Sequence, residues 1–379
     1  MKRALIVLLL LAVAAGGLFA QQITFSGWVR SGLQIAIPDE GDPTFHLYDA
    51  TPGSRYRAGF YGSYTNEAGN AGASFGLQST FAGTDGSGEF ARDGANVWAR
   101  PSDTVLLRFG TGGPGGFGTL GGFDWAQDAA DGFGFHMVFG PFSGLRLAAS
   151  IKPNNVPPAD GVYAFGVRYT AAGTFDVVGN LRYNGAGNEG DGKVDAGAGF
   201  DFVGLSSAGL TKLAVDVVAQ DVTEDLLWVG VGPRVNFRVD NVTDAGNLTG
   251  QLRPRIFLPM GDNSEDLKFA VYAQVGLPIV TGVSANLDVG YETATVLRGN
   301  PGSGAIRHFA NYDGLQSAAY GTGAYSAGNS IFLVTPTVAF SNVGGARGAT
   351  LTTGFTFQTQ MGDVEKTQTG LFCLFNVSF

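Results

Sequence analysis

From Ile23 to the C-terminus the sequence alternates between apolar and polar residues with a period of two. Ile23, Phe25, Val29, Leu33, Ile35 and Ile37 share one parity, with Thr24, Ser26, Arg30 and Gln34 on the other. The pattern recurs at Tyr56, Ala58, Phe60 and Tyr64 against Arg55, Arg57 and Ser63, and at Ala71, Ala73, Phe75, Leu77 and Phe81 against Ser74, Gln78 and Thr80. A period of two is the signature of extended strands with one face toward an apolar medium and the other toward water. Helices require a period near 3.6, so a chain written this way throughout is all-β.

The run of such segments continues at Ala95 to Arg100, Thr104 to Gly110, Phe133 to Gly140, Gly144 to Ile151, Val162 to Thr170, Thr174 to Tyr183, Lys193 to Val203 and Thr211 to Ala219. It ends with Leu226 to Val239, Leu248 to Met260, Leu267 to Gly276, Thr281 to Tyr291, Ile331 to Phe340, Ala349 to Thr359 and Thr369 to Phe379. The expected total is about 18 strands, and a miscount by one pair would leave about 16, both even numbers of the kind that closed membrane barrels use. So many strands with no linker between them and no constant repeat disfavour sandwiches and solenoids, whereas a closed antiparallel barrel leaves no unpaired edge.

The connections alternate in length as such a barrel requires. Those after even-numbered strands are short, around Glu67 to Gly69, Pro101 to Asp103, Pro141 to Ser143, Ala171 to Gly173 and Leu277 to Ile279. Those after odd-numbered strands are longer, including Pro38 to Ser54, Thr111 to Gly132, Lys152 to Gly161 and Glu292 to Ser330. Asp240 to Asn247 and Asp221 to Asp225 are exceptions. An even count places both termini at the short-turn end.

Two further features bear on the medium. Met1-Lys2-Arg3 followed by the apolar run Ala4 to Ala15 and a small-residue stretch ending at Ala20 has the layout of a cleaved secretory signal, so residues 1–20 are expected to be a leader and residues 21–379 the barrel domain. Charged residues make up only 15% of the chain, against roughly 25% in ordinary soluble domains. The net charge of −9 argues against nucleic acid as a partner. The single Cys373 excludes an internal disulfide framework, and no cofactor is expected.

The last strand places Leu371, Cys373, Phe375, Val377 and Phe379 on one face and ends on an aromatic residue. It resembles the terminal strand of Gram-negative outer-membrane barrel proteins, and in size, leader, strand rhythm and terminal Phe the chain is similar to the porin superfamily. That resemblance implies a passive, water-filled pore for small hydrophilic solutes or ions across the outer membrane. It also implies contact with outer-membrane lipid, homotrimeric assembly, and Phe375, Val377 and Phe379 as the signal read by the barrel-assembly machinery. In general porins the third outer connection folds into the lumen. Here that connection is Thr111 to Gly132, and the resemblance implies a constriction loop carrying Asp124, Asp128 and Asp131, although the family's Pro-Glu-Phe-Gly-Gly sequence is missing. The contrasting reading is a surface protein or adhesin anchored by its barrel, with the Gly-, Ser-, Asn- and Tyr-rich connection 292–330 as its binding element.

With the apolar parity assigned to lipid, Arg30, Arg55, Arg57, Arg108, Arg146, Arg168 and Arg182 fall on the lumen parity and are the expected pore-lining residues. Facing an acidic inner loop, this ladder would set a transverse field that sorts solutes by charge and dipole. Against that stands the plainer reading that charges point inward because lipid excludes them. Trp28, Trp98 and Trp228 share the lumen parity, and aromatic faces there can stack on sugar rings. Enzymatic motifs are missing. The histidines His46, His136 and His308 are scattered, and the Gly112 to Gly122 run lacks the lysine of a phosphate loop.

Overall fold

The computed structural model describes residues 22–38, 42–48, 56–81, 89–113, 115–118, 120, 134–152, 161–185, 192–203, 209–222, 228–260, 267–293, 330–362 and 365–379. The proposed leader, Arg55, Asp124, Asp128, Asp131 and nearly all of the 292–330 connection lie outside them, as do the side chains of Arg57 and Trp228.

The strands are β1 (Gln22–Pro38), β2 (Thr44–Tyr48), β3 (Tyr56–Thr65), β4 (Ala71–Phe81), β5 (Glu89–Ser102), β6 (Val105–Gly110), β7 (Gly134–Phe142), β8 (Leu145–Lys152), β9 (Val162–Ala171) and β10 (Phe175–Asn184). They continue as β11 (Lys193–Phe202), β12 (Leu210–Gln220), β13 (Trp228–Thr243), β14 (Gly246–Pro259), β15 (Lys268–Val280), β16 (Val283–Thr293), β17 (Ser330–Ser341), β18 (Ala349–Met361) and β19 (Lys366–Ser378). All pair antiparallel around a closed wall, in which β2 continues the line of β3 along β1 and the count is 18, sealed by β1 against β19 from Trp28 opposite Ser378 to Pro38 opposite Gln368. Of the two strand totals, 18 is the one realised.

Closure is what allows this chain to show an apolar exterior. From Gly27 to Pro38 the first strand pairs with the last, so the wall closes without a long open edge in hydrocarbon. The odd residues of β1 point outward, with Phe25, Val29 and Leu33 each about half exposed, and Phe165 on β9 is 60% exposed. The opposite parity carries buried polar groups such as Gln34, Asp216 and Thr335. An apolar surface this extensive is stable against lipid and not against water. On it, aromatic rings gather near both ends. Tyr169, Phe175, Phe200 and Phe202 pack together beside the short turns, and Tyr163 with Tyr183 and Phe269 with Tyr291 pack toward the long connections.

Several boundaries differ from the sequence reading. The stretch Pro38 to Ser54 contains β2, which bonds to Gly32–Ala36 of β1 in line with β3. Strand β5 begins at Glu89 instead of Ala95, because a register shift beside Gly76 absorbs one residue and lets the ladder continue. Asp240 to Asn247 is not a long connection, since β13 runs to Thr243 and pairs it with Gly246. Leu277 to Ile279 is not a turn. These residues extend β15, where the Pro278 carbonyl accepts a bond from the Thr243 hydroxyl at 2.7 Å.

The chain leaves β6 for the lumen at Gly110, whose φ of 121° lies in a region that side-chain-bearing residues avoid. A Cβ there would fall 2.1 Å from the Ala95 carbonyl oxygen. Thr111 completes the corner, its amide and hydroxyl both bonding to the Ala95 backbone. Gly110→Ala is therefore expected to cost about 1–3 kcal/mol of stability. Denaturant titration of the detergent-folded barrel checks this, and an unchanged midpoint would show that the corner relaxes freely.

Candidate functional site: the lumen and its inward connection

The third long connection does turn inward, and its described residues 111–113, 115–118 and 120 lie along the inner wall. At its start the Arg108 guanidinium of β6 donates to the Gly113 carbonyl at 2.7 Å. Farther along, Arg168 of β9 donates to the Gly116 carbonyl at 3.0 Å, and Asn180 of β10 donates to the Phe117 carbonyl at 2.8 Å. The Leu120 amide then donates to the Asp216 carboxylate of β12 at 2.8 Å. These bonds carry the segment across the wall from β6 to β12.

Phe117 is the peg of this arrangement. Its ring is fully buried in a cluster with Val138 and Ala148, against which Leu106 also packs, and the Arg146 guanidinium lies 5.2 Å from the ring centre. The seat exists because β9 carries glycine at position 166, where a Cβ would sit 2.8 Å from the Phe117 ring. Burial of an aromatic ring under a guanidinium combines apolar transfer with cation–π attraction.

The sequence-predicted arginines therefore divide. Arg108, Arg146 and Arg168 contact the inward connection, and Arg168 is also ion-paired with Asp176 at 2.9 Å. Arg182 stands opposite Asp195 in the β10–β11 ladder. Arg30 lies 5.3 Å from the Trp28 ring, and Arg57 stands opposite Arg30 in the β1–β3 ladder. The first group meets carbonyls and a phenyl ring of the loop, a role that parity alone does not specify.

Sequence reasoning missed a second inward basic group, Arg234, Arg253 and Arg255 on β13 and β14. Arg253 and Arg234 both donate to the Gln251 side-chain carbonyl, at 3.0 and 3.3 Å. Gln251 donates to Gln274 at 2.7 Å, and Gln274 and Tyr272 donate to Asp288 at 2.7 and 2.5 Å. The signal was present, because Arg253 and Arg255 repeat the two-residue spacing of Arg55 and Arg57 between the apolar Leu252, Ile256 and Leu258. Wall carboxylates were missed too. Lys212 pairs with Asp201 at 2.8 Å and Lys193 with Asp221 at 3.2 Å, so both lysines are ion-paired within the wall.

Among the histidines, His136 of β7 contacts the Ser150 hydroxyl of β8 at 3.0 Å. Both side chains are at most 2% exposed, which closes the pair to a substrate and makes it part of the wall. The remaining predicted residues, Phe375, Val377 and Phe379, lie on the outward parity of β19, opposite Ser31, Val29 and Gly27 of β1.

No protein-family model and no curated relative matches the chain. Solved structures do. It is similar over 94% of its length to the outer membrane protein OpdK from Pseudomonas aeruginosa, with 99% of that chain covered, a TM-score of 0.55 and 12% identity. It is similar to the outer membrane protein OprD from the same organism over 94% of each chain, with a TM-score of 0.52 and 14% identity. OccAB4 from Acinetobacter baumannii matches over 94% of this chain and 98% of its own, with a TM-score of 0.53 and 10% identity. At these identities the likeness establishes the fold.

Proposed function

We propose that this chain forms a water-filled pore in the outer membrane through which small hydrophilic solutes or ions diffuse down their gradients. The observation that carries the reading is the partition of the wall. A closed barrel with an apolar exterior keeps charged and hydroxyl groups on its inner face, the partition expected of a wall around an aqueous lumen. The inward connection takes up the sector from β6 to β12 and thereby shapes the lumen. The outer membrane proteins OpdK and OprD share this fold, which supports the same location for this chain. In this reading residues 1–20 are its leader and a homotrimer is its assembly. In this reading Arg30, Arg55, Arg57 and Arg182 line the pore, Arg108, Arg146 and Arg168 hold its narrowing element, and Asp124, Asp128 and Asp131 add negative charge to that element. Phe375, Val377 and Phe379 serve barrel assembly. The protein acts as a channel and not as an enzyme.

The test is single-channel recording of refolded protein in a planar bilayer under a KCl gradient. Stable open steps are expected, and replacing both Arg55 and Arg57 by alanine removes two positive charges, so the reversal potential should move toward cation preference. Absence of any step, with the barrel shown to be folded, would overturn the reading.

A further inference from the structure

The lumen is not uniformly charged. On the sector formed by β1, β3, β4 and β5, between the wall and the first residues of the inward connection, lies a concave recess of about 670 Å³. This is within the size range of small-molecule sites. Its polar lining consists of the hydroxyls of Thr24, Ser26, Ser63 and Ser74, the amide of Asn96 and the phenol of Tyr61, and none of the lining residues is charged. Gly76 and Gly94 contribute backbone alone, and the Thr111 side chain closes over Gly94, where a Cβ would fall 2.5 Å from its hydroxyl.

An aromatic shelf borders one edge. The Trp28 indole and the Tyr61 ring converge over Gly59, where a Cβ would sit 2.6 Å from the indole nitrogen and 2.9 Å from the Tyr61 ring. Both rings thus reach over the same bare stretch of β3, and the Tyr61 ring forms part of the recess itself. Guanidiniums of this sector, Arg30 over the Trp28 ring and Arg100 over the Trp98 ring, stand outside the recess, whose own lining is neutral.

From this juxtaposition we propose that the recess is a binding subsite for a neutral di- or trisaccharide, a proposal that rests on the pore reading only for how the sugar reaches it. A sugar ring offers apolar C–H faces that stack on aromatic rings and a rim of hydroxyls that both donate and accept. Serine, threonine and asparagine match that rim because each also donates and accepts. An ionic solute entering the recess would exchange water for a lining of neutral groups.

The experiment records open-channel current while maltose, sucrose or trehalose is added, with glutamate as the charged control. A concentration-dependent block by at least one of the sugars is expected. Tyr61→Ala should raise its half-blocking concentration about tenfold, in keeping with the strength of ring stacking on an aromatic. Tyr61→Phe should retain the block, and Ser74→Asp, which brings charge into the recess, should weaken it. The same sugars are titrated against tryptophan fluorescence of the detergent-folded protein, a readout that needs no conduction. Fluorescence changes without channel steps would sink the pore reading and leave the subsite standing. Open channels that no sugar blocks and no fluorescence change, or a block that Tyr61→Ala and Ser74→Asp leave unaltered, would overturn the subsite.

Discussion

Replacing Phe117 by alanine is expected to free the inward connection from the wall and to turn a steady channel into a noisy one. The ring is fully buried between Val138, Ala148 and the bare backbone of Gly166, beneath the Arg146 guanidinium. Truncating a buried phenylalanine typically costs about 3–5 kcal/mol. The side-chain bonds from Asn180 and Arg168 that also hold this stretch contribute roughly 1–3 kcal/mol each at most, so the peg is the largest single contribution. The barrel ladder itself is untouched, and heat-modifiable migration in gels should remain normal. Single-channel recordings should then show open currents spread several-fold more widely than in the parent, and limited proteolysis within residues 111–120 should become faster. Phe117→Leu should restore most of the steadiness. Gly166→Leu should reproduce the defect from the opposite side of the contact by filling the seat, and the two changes combined should do little more than either alone, because each removes the Phe117 ring from the same place. Identical current distributions and proteolysis rates in Phe117→Ala would show that the polar bonds alone hold the segment.

Deleting Phe379 is expected to reduce the amount of folded barrel in the outer membrane of cells by more than tenfold. The residue does two things. Its amide and carbonyl exchange bonds of 2.9 and 2.8 Å with Gly27, extending the β1–β19 seam to its last residue. Its ring lies on the outer face over Gly27, where a Cβ would fall 2.5 Å from the ring. Two terminal backbone bonds amount to only about 1–3 kcal/mol, and many such bonds remain along the seam. Loss of the seal alone should therefore leave refolding in detergent largely intact. A large loss in cells with efficient refolding in vitro separates an assembly signal from a structural plug. Equal losses in both settings would assign Phe379 to closure of the barrel, and Phe375 and Val377 would lose their proposed role with it.

Much of the architecture is legible in the linear pattern because a period of two encodes two things at once, extended backbone and the face each residue takes. Arg30, Trp28, Trp98 and Arg168 all sit on the side that parity assigns them, as the approach of Trp28 to Gly59, the approach of Trp98 to Gly72 and the bond of Arg168 to Gly116 establish. Boundaries were less legible wherever a strand carries residues that usually break one. Pro278 sits near the end of β15, and the hairpin of β13 and β14 extends through Asn241, whose φ of 56° is normally a turn value. Around Asn241 the pairing shifts register, its amide bonding to the Asn247 side chain before Thr243 meets Gly246, and Pro278 is paired with Ser284 of β16. The strand Glu89 to Ser102 was clipped for a similar reason, because the register shift beside Gly76 breaks the alternation that a local reading relies on.

What the sequence by itself determined is the set of strands, their inward and outward faces, and the need to close, since each follows from contacts between residues two apart and from the cost of an unpaired edge in lipid. Only the tertiary structure decided which inward residues meet. Phe117 and Gly166, Leu120 and Asp216, and Gly27 and Phe379 are far apart in the chain, and no local periodicity records that one member of each pair must be small or acidic to receive the other. The same holds for the arginines. Parity turns them inward, but whether a guanidinium faces water, a carboxylate or the loop depends on the path of a connection whose anchors lie on strands from β6 to β12.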